Sequence, residues 1–149
     1  MITVKEVMTT ELVTLKQSDS IKDARKIMSE KGIRHIPVVG EQGELIGIVT
    51  QRDVLRAGSS CLNENNLDEN NEQLDDSKVQ VQKIMSDQVS LTHPKESLRV
   101  AGLELQRQKY GCLPVVEKNK LVGIITDSDF VGVAIDLIEH MDFAEDADF

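Results

Sequence analysis

The sequence predicts an α+β fold made of two tandem copies of one motif, each with the order strand, helix, strand, strand, helix. Two repeated stretches predict this fold. The heptad GIVTQRD at 47–53 returns as GIITDSD at 123–129, and IPVV at 36–39 returns as LPVV at 113–116. One copy is too small to bury a good hydrophobic core, so we expect both to pack as a single pseudo-symmetric module.

A short strand near residues 12–15 and an amphipathic helix begin the first copy. Residues 20–31 have the apolar spacing of one helical stripe, with Ser20 as the expected N-cap and Gly32 as the residue that ends the helix. The stripe consists of Ile21, Ala24, Ile27 and Met28. The second copy repeats this spacing, which predicts the same helix there.

A hairpin and a second helix complete each copy. In the first copy, two β-branched runs at 33–39 and 45–50 are separated by the turn Gly-Glu-Gln-Gly at 40–43. The heptad follows directly, and Thr50 is positioned to begin the second helix. The second copy is one residue shorter in its turn, which suits a loop tip.

The repeat and the composition between its copies define the predicted domain boundaries. We assign residues 1–57 to the first motif, 58–78 to an acidic Asn-rich linker, 79–141 to the second motif and 142–149 to an acidic tail. The linker has neither helical nor strand periodicity, so we expect it to be solvated, and we expect the tail to fray.

Composition argues against several classes of partner. A net charge of -9 is unfavourable for binding phosphates, and one Tyr with no Trp leaves few side chains to stack on bases. Nucleic acid is therefore not an expected partner. No apolar run is long enough to span a membrane, and the N-terminus lacks the apolar core of a signal peptide. We expect a cytoplasmic protein.

Cysteine and histidine spacing predicts neither a disulfide framework nor a metal site. Cys61 and Cys112 form no paired-cysteine motif, and the three histidines, His35, His93 and His140, show no ligand spacing. We therefore expect no metal and no required cofactor.

The repeated heptad has two interpretations. The first is local: Thr50 with Asp53, and Thr126 with Asp129, have the spacing of a capping box, in which the carboxylate also favours the positive end of the helix dipole. Helix capping alone would explain these four residues without any ligand.

The second interpretation is a nucleoside site. Gly47 and Gly123 interrupt β-branched strands, where a glycine often marks the close approach of another group. The helix N-terminus that follows favours a phosphate, and the carboxylate suits two neighbouring ribose hydroxyls. Because the combination occurs twice, we favour this interpretation.

At these residues the chain resembles the cystathionine-β-synthase (CBS) domain pair, or Bateman module. The resemblance covers roughly 2–57, with VMTTELVTL, SIKDARKIM and IRHIPVV, and 79–140, with IMSDQVSL, SLRVAGLEL and GCLPVV, besides the two heptads. Within the family the chain is most similar to stand-alone acetoin-utilisation-type proteins. The resemblance implies a regulatory or sensor module without catalysis. It binds an adenosine-containing ligand, such as AMP, ADP, ATP or S-adenosylmethionine, in the cleft between the motifs.

The resemblance also implies which residues contact the ligand. Asp53 and Asp129 match the family's ribose position, and Thr50 and Thr126 match the hydroxyl near ribose or phosphate. The segment before the hairpin, which contacts base or phosphate, corresponds to Arg34, His35 and Ile36 in the first copy and to Gly111, Cys112 and Leu113 in the second. Thr14 matches a position against the base.

The second copy departs from the first at several of these positions. Leu91 replaces Thr14, and Lys109 replaces the helix-ending Gly32. The first heptad also has more cations around it, with Arg34, His35 and Arg52. We therefore expect the first copy to favour a phosphorylated ligand.

The sequence also bears on catalysis, on a purely structural role and on dimerisation. An enzyme is disfavoured, because neither Thr has an obvious base and no nucleophile constellation is present. A structural dimerisation module with vestigial sites remains open. We expect a homodimer, because the last helix has more apolar positions than one module covers, namely Val131, Val133, Ile135, Leu137 and Ile138. The downstream protein partner is left open.

Overall fold

The computed structural model describes residues 1–62, 75–108 and 111–147, with no description of the side chains of 59–62 and 147. Five α-helices, four strands and one 3-10 turn lie in this part of the chain. In chain order they are α1 Val4–Val7, α2 Ile21–Lys31, β1 His35–Val39, β2 Leu45–Thr50, α3 Gln51–Leu62, the 3-10 turn Val81–Lys83, α4 Leu98–Arg107, β3 Cys112–Glu117, β4 Lys120–Thr126 and α5 Asp127–Ala147.

The chain divides into two compact units. The first-hairpin unit comprises residues 13–89 and 118–121, and the second-hairpin unit comprises 1–12, 90–117 and 122–149. The first-hairpin unit contains the antiparallel hairpin β1–β2, and the second-hairpin unit contains β3 and residues 122–126 of its partner strand β4. The predicted α+β class with two repeated motifs is confirmed.

In the first-hairpin unit, β1 and β2 pair from His35 opposite Thr50 to Val39 opposite Leu45. One further residue bridges each edge of this hairpin. Leu15 pairs in parallel with Val38 of β1, and Ser86 pairs antiparallel with Ile48 of β2. The core contains Leu15, Ile21, Ala24, Met28, Ile36, Val38, Val49, Val54 and Val81.

The second-hairpin unit repeats this arrangement. Thr92 pairs in parallel with Val115 of β3, and Thr9 pairs antiparallel with Ile124 of β4. The core contains Val4, Leu98, Ala101, Leu105, Leu113, Val115 and Ile125. Val4 belongs to α1, so the N-terminal segment supplies both a backbone bridge and a buried side chain to this unit.

The two motifs therefore exchange their first segments. Residues 1–12, which precede the first hairpin in sequence, lie in the second-hairpin unit, and residues 79–89, which precede the second hairpin, lie in the first-hairpin unit. The compact units thus follow packing, whereas the predicted boundaries follow the sequence repeat. The exchange satisfies backbone groups of β2 and β4 that would otherwise be open at an edge.

Most elements expected in the first motif are present. Helix α2 begins after Ser20, which accepts a hydrogen bond from the Asp23 N–H, and ends at Gly32, whose φ of 64° places it in the left-handed region. The turn between β1 and β2 is closed by the Gly40 N–H, which donates to the Glu44 carbonyl. The strand expected near 12–15 is reduced to the single bridge at Leu15.

The linker and the tail differ from expectation at their described residues. Helix α3 continues to Leu62, so residues 58–62 are helical, because extending an existing helix requires no new nucleus. Residues 63–74 lie outside the described part of the chain. Helix α5 continues to Ala147, and residues 142–147 contain no Gly or Pro that would end it, so the predicted tail begins as an extension of this helix.

The glycine in each heptad is required by the exchanged segment. A Cβ added at Gly47 would stand 2.7 Å from the Ser86 carbonyl oxygen, and one at Gly123 would stand 3.2 Å from the Thr9 carbonyl oxygen and 2.6 Å from the Met8 sulfur. The expectation that these glycines admit a close neighbour is confirmed. In the structure that neighbour is the protein itself, the Ser86 carbonyl oxygen at Gly47 and the Met8 side chain with the Thr9 carbonyl oxygen at Gly123, whereas the sequence suggested a ligand.

This geometry predicts that Gly47→Ala destabilises the protein by about 1–3 kcal/mol, because the new methyl group overlaps a backbone oxygen that is held in a β-bridge. Gly132→Ala is the matched control: an added Cβ there meets nothing within 4 Å. In an exposed helix interior this change should stabilise by up to about 1 kcal/mol. Urea unfolding measures both free energies, and equal effects of the two substitutions would contradict the proposed packing.

Candidate functional site

The first candidate site is the junction between β2 and α3, which we call the first corner. Thr50 ends the strand and Gln51 begins the helix. The Gln51 N–H donates to the Arg34 carbonyl at 2.8 Å, and His35 lies opposite Thr50 in the hairpin register. The structure thus brings together Arg34, His35 and Thr50 at one end of the hairpin.

Thr50 and Asp53 form a reciprocal cap at the first corner. The Thr50 N–H donates to Asp53 Oδ2 at 2.9 Å, and the Asp53 N–H donates to Thr50 Oγ1 at 3.2 Å. The capping interpretation of the heptad is therefore present in the structure. Asp53 Oδ1 has no hydrogen-bond partner among the described residues, so half of the carboxylate remains available as an acceptor.

The other predicted ligand residues of the first copy lie in different surroundings. Ile36 is fully buried in the core of its unit, so only its backbone could face a ligand. Thr14 is exposed and precedes Leu15, which bridges β1 on the side opposite β2.

The second candidate site is the junction between β4 and α5, which we call the second corner. The Asp127 N–H donates to the Gly111 carbonyl at 3.2 Å, as the Gln51 N–H does to Arg34. The Thr126 N–H donates to Asp129 Oδ2 at 2.9 Å, and the Thr126 hydroxyl lies 3.4 Å from the same oxygen. The backbone hydrogen bond at the start of the helix and the Thr N–H to Asp contact of the first corner are thus reproduced.

Thr9, which sequence reasoning missed, adds a contact at the second corner. Its hydroxyl donates to Asp129 Oδ1 at 3.3 Å, so both carboxylate oxygens of Asp129 accept hydrogen bonds. The two residues are 120 positions apart, and only the exchange of segments brings them together. The available signal was the repeat of Val7-Met8-Thr9 as Ile84-Met85-Ser86, which has a hydroxyl residue in both copies.

Cys112 and Leu113 are core residues rather than exposed ligand groups. Both side chains are 0% exposed. Burial raises the pKa of the Cys112 thiol from 9.0 to about 12, with smaller contributions from the negative charges of Asp127 and Asp129. The thiol is therefore protonated at neutral pH.

A separate cavity of about 480 Å³ lies in the second-hairpin unit between α4 and the start of α5. Its walls are mostly apolar, and it shares only Asp127 with the second corner. The lining residues are Arg99, Gly102, Leu103, Leu105, Gln106, Asp127 and Phe130.

Metal binding and membrane insertion are the two properties that the sequence disfavoured. Among the described residues, no group of three or more His, Cys, Asp or Glu side chains is placed to hold a metal ion. None of the helices in the described ranges is both long enough and apolar enough to cross a membrane.

Comparison with known proteins gives a family match in both motifs. The model of the CBS domain matches residues 4–60 and 81–136. The chain is 36% identical over 127 residues to a homoserine O-acetyltransferase from Methanococcoides burtonii, covering 85% of this chain and 23% of that protein. It is 31% identical over 129 residues to the CBS domain-containing protein YhcV from Bacillus subtilis, covering 87% of this chain and 83% of that protein. The chain spans less than half the length of the first curated relatives it matches.

Three solved structures share the fold over most of the chain. The AcuB protein (acetoin utilization) of Vibrio cholerae is 38% identical with a TM-score of 0.79, covering 95% of this chain and 96% of that one. CBSX2 from Arabidopsis thaliana, in complex with AMP, is 26% identical with a TM-score of 0.75, covering 92% and 98%. A CBS domain pair in complex with 5′-methylthioadenosine and S-adenosyl-L-methionine is 26% identical with a TM-score of 0.73, covering 89% and 95%.

The raised pKa of Cys112 predicts a loss of stability in alkali. Above about pH 9 the unfolded chain loses this proton while the folded protein keeps it until about pH 12, so folding stability falls as pH rises through that window. The fall attributable to Cys112 is at most about 1.4 kcal/mol per pH unit. Urea unfolding between pH 8 and about pH 10 measures it.

Cys112→Ala, compared in a Cys61→Ser background that leaves one thiol, is the control. The stability of the Cys112 protein relative to its Ala variant should decline with pH over this range. A difference that stays constant from pH 8 to about pH 10 would show that the Cys112 pKa is not raised.

Proposed function

Since the chain belongs to the CBS domain family, with one domain in each half, we propose that it is a regulatory module that binds adenosine-containing compounds. The observation that best supports this proposal is the duplicated corner, in which a Thr at the end of a strand and an Asp in the first turn of the next helix are hydrogen-bonded. Two of the solved relatives hold AMP, or 5′-methylthioadenosine with S-adenosylmethionine. These compounds share the adenosine moiety, so its ribose and base are the groups to be recognised.

The chemistry of the first corner suits a ribose. Asp53 Oδ2 accepts from the Thr50 N–H, which fixes the carboxylate, while Oδ1 remains free of partners among the described residues. A fixed carboxylate can accept hydrogen bonds from two neighbouring hydroxyls with little loss of side-chain entropy. The cap and the ribose contact are therefore compatible: the cap orients the group that binds.

Regulation requires a second step beyond binding. A ligand shifts a conformational or oligomeric equilibrium only if it binds one state more tightly than the other. Helices α3 and α5 begin at the two corners, so a ligand there contacts the ends of elements that can transmit a displacement. The protein that responds to this signal is not defined by the chain, and we propose no catalytic step.

A structural role without ligand is the second candidate, and one observation favours it. At the second corner both oxygens of Asp129 already accept hydrogen bonds, from the Thr126 N–H and from the Thr9 hydroxyl. In this alternative the heptads cap helices, hold the exchanged segment and support a dimer. The relatives named homoserine O-acetyltransferase do not favour an enzyme here, because the chain covers only 23% of the first of them.

We propose a homodimer in addition. Helix α5 exposes Val131, Ile135, Leu137 and Ile138, each more than half exposed, whereas Val133 packs against the core of its own unit. Val131, Ile135 and Ile138 are spaced four and three residues apart, so they lie on one helix face, and an exposed apolar face of this kind marks an interface. An isologous dimer would cover this surface with a second copy of the same helix.

The ribose role predicts a separation between stability and ligand response. Asp53→Asn and Asp129→Asn should each cost roughly 0.3–1 kcal/mol in the free protein, because a carboxylate near a helix N-terminus is lost. With AMP or ATP at ~100 times the dissociation constant, the wild type should gain about 2.7 kcal/mol, and the variant at an occupied site should lose most of that gain. Thermal unfolding of free and ligand-saturated protein measures both effects. We expect Asp53→Asn to have the larger effect with ATP or ADP.

Asp23→Asn provides the matched control. Asp23 caps α2 with the same reciprocal pair of hydrogen bonds to Ser20, and these bonds lower its pKa. This variant should lose a similar stability and keep the full response to ligand. If no compound stabilises the wild type, or if all three variants respond like it, Asp53 and Asp129 have only the structural role.

The dimer predicts that one charge on α5 changes the state of assembly. Ile135→Glu should shift the protein towards monomer, because it places a carboxylate within the apolar surface. Light scattering at micromolar concentration measures the mass, with Ser18→Glu as a control that adds the same charge in an exposed turn. A monomeric wild type, with and without nucleotide, would exclude the dimer.

A further inference from the structure

The two corners share the backbone hydrogen bond at the start of the helix and the Thr N–H to Asp contact, but they differ in the charges beside them. At the first corner Arg34 and Arg52 are exposed, and neither guanidinium is paired with a carboxylate among the described residues. The equivalent positions at the second corner are Gly111 and Ser128, and Asp127 takes the place of Gln51. The first corner is therefore cationic, whereas the equivalent second corner is anionic.

The Asp127 carboxylate lies across the second corner. Its Oδ1 accepts a hydrogen bond from the Ser128 N–H at 2.9 Å. Its Oδ2 stands 2.8 Å from the position that a Cβ on Gly111 would take, so it covers the segment before β3. Gly111 has a φ of 64°, which favours glycine at this position.

The same backbone donor is open at the first corner. The Arg52 N–H, which corresponds to the Ser128 N–H, has no hydrogen-bond partner in the part of the chain that the structure describes. Free N–H groups in the first helical turn are the donors that bind phosphate. The second corner thus has its donor occupied by an internal carboxylate, where the first corner offers a donor and two guanidinium groups.

We propose that Asp127 acts as a built-in anion that excludes phosphate from the second corner, so that this corner selects adenosine compounds with a neutral or cationic 5′ substituent. The first corner selects those that carry phosphate. This inference rests on the proposed function. Asp53 and Asp129 each lie in the first turn of their helix, so a ribose held by either carboxylate is close to that helix N-terminus. At the second corner the Asp127 carboxylate repels a phosphate and attracts a sulfonium.

The test compares AMP with 5′-methylthioadenosine, which differ in the 5′ substituent, and adds S-adenosylmethionine as the cation. Calorimetric titration into Asp53→Asn protein reports the second corner. There both sulfur compounds should bind at least about tenfold more tightly than AMP. Adding Asp127→Gln, which installs the residue of the first corner, should tighten AMP binding about tenfold and change 5′-methylthioadenosine less than about threefold.

The reciprocal exchange tests the first corner. In an Asp129→Asn background AMP should be the tighter ligand, and Gln51→Asp should weaken AMP about tenfold with little effect on 5′-methylthioadenosine. Ser128→Arg, also in the Asp53→Asn background, is a second route to AMP binding that leaves Asp127 in place. Melting of each free variant verifies that it is folded.

The outcomes separate this inference from the function on which it rests. If adenosine compounds bind but neither Asp127→Gln nor Gln51→Asp alters the affinity for AMP, the role of Asp127 is overturned and the proposed function stands. No binding of any of the three compounds to the wild type would overturn both. A selective gain in AMP affinity from Asp127→Gln would establish the inference. This gain should be smaller at 0.5 M salt, because salt screens the charge repulsion that the substitution removes.

Discussion

Two backbone bridges hold the fold together, and the geometry of both corners depends on them. Ile48 and Ser86 exchange a pair of N–H to carbonyl hydrogen bonds of 2.9 Å each, and Thr9 and Ile124 exchange a pair of 2.9 and 3.0 Å. Each bridge closes the open edge of a hairpin with a segment that precedes the other hairpin in sequence. Without this exchange β2 and β4 would be open edge strands, and α1 would lose the core against which Val4 is buried.

The bridges also explain why the heptads contain glycine where a strand would favour a larger residue. The Ser86 carbonyl crosses Gly47 so closely that no Cβ fits. Three positions further on, Thr50 and Asp53 cap the helix. One heptad therefore meets two structural requirements before any ligand is considered. The proposed ribose contact adds to these requirements, because the cap fixes the carboxylate that a ribose would contact.

Duplication preserved the backbone of the corner while the side chains around it diverged. Gln51 and Asp127 donate the same backbone hydrogen bond, yet one side chain is neutral and the other is an anion whose field reaches Cys112. Under our proposal, the unequal charges at two equivalent corners let one small module distinguish two related compounds. Differential affinity of this kind is what a regulatory module needs to respond to more than one signal.

The sequence by itself determined the local elements: the Ser20 cap and Gly32 end of α2, the hairpins, and the Thr and Asp at each corner, because caps, turns and β-branched runs are short-range signals. Only the tertiary structure decided which segment completes which hairpin, that a backbone oxygen faces Gly47, and that Thr9 reaches Asp129. It also decided that Ile36 and Leu113 are core residues and that α3 and α5 extend beyond their motifs. These features depend on contacts between residues distant in sequence, or on helix extension, which leave no periodicity to read.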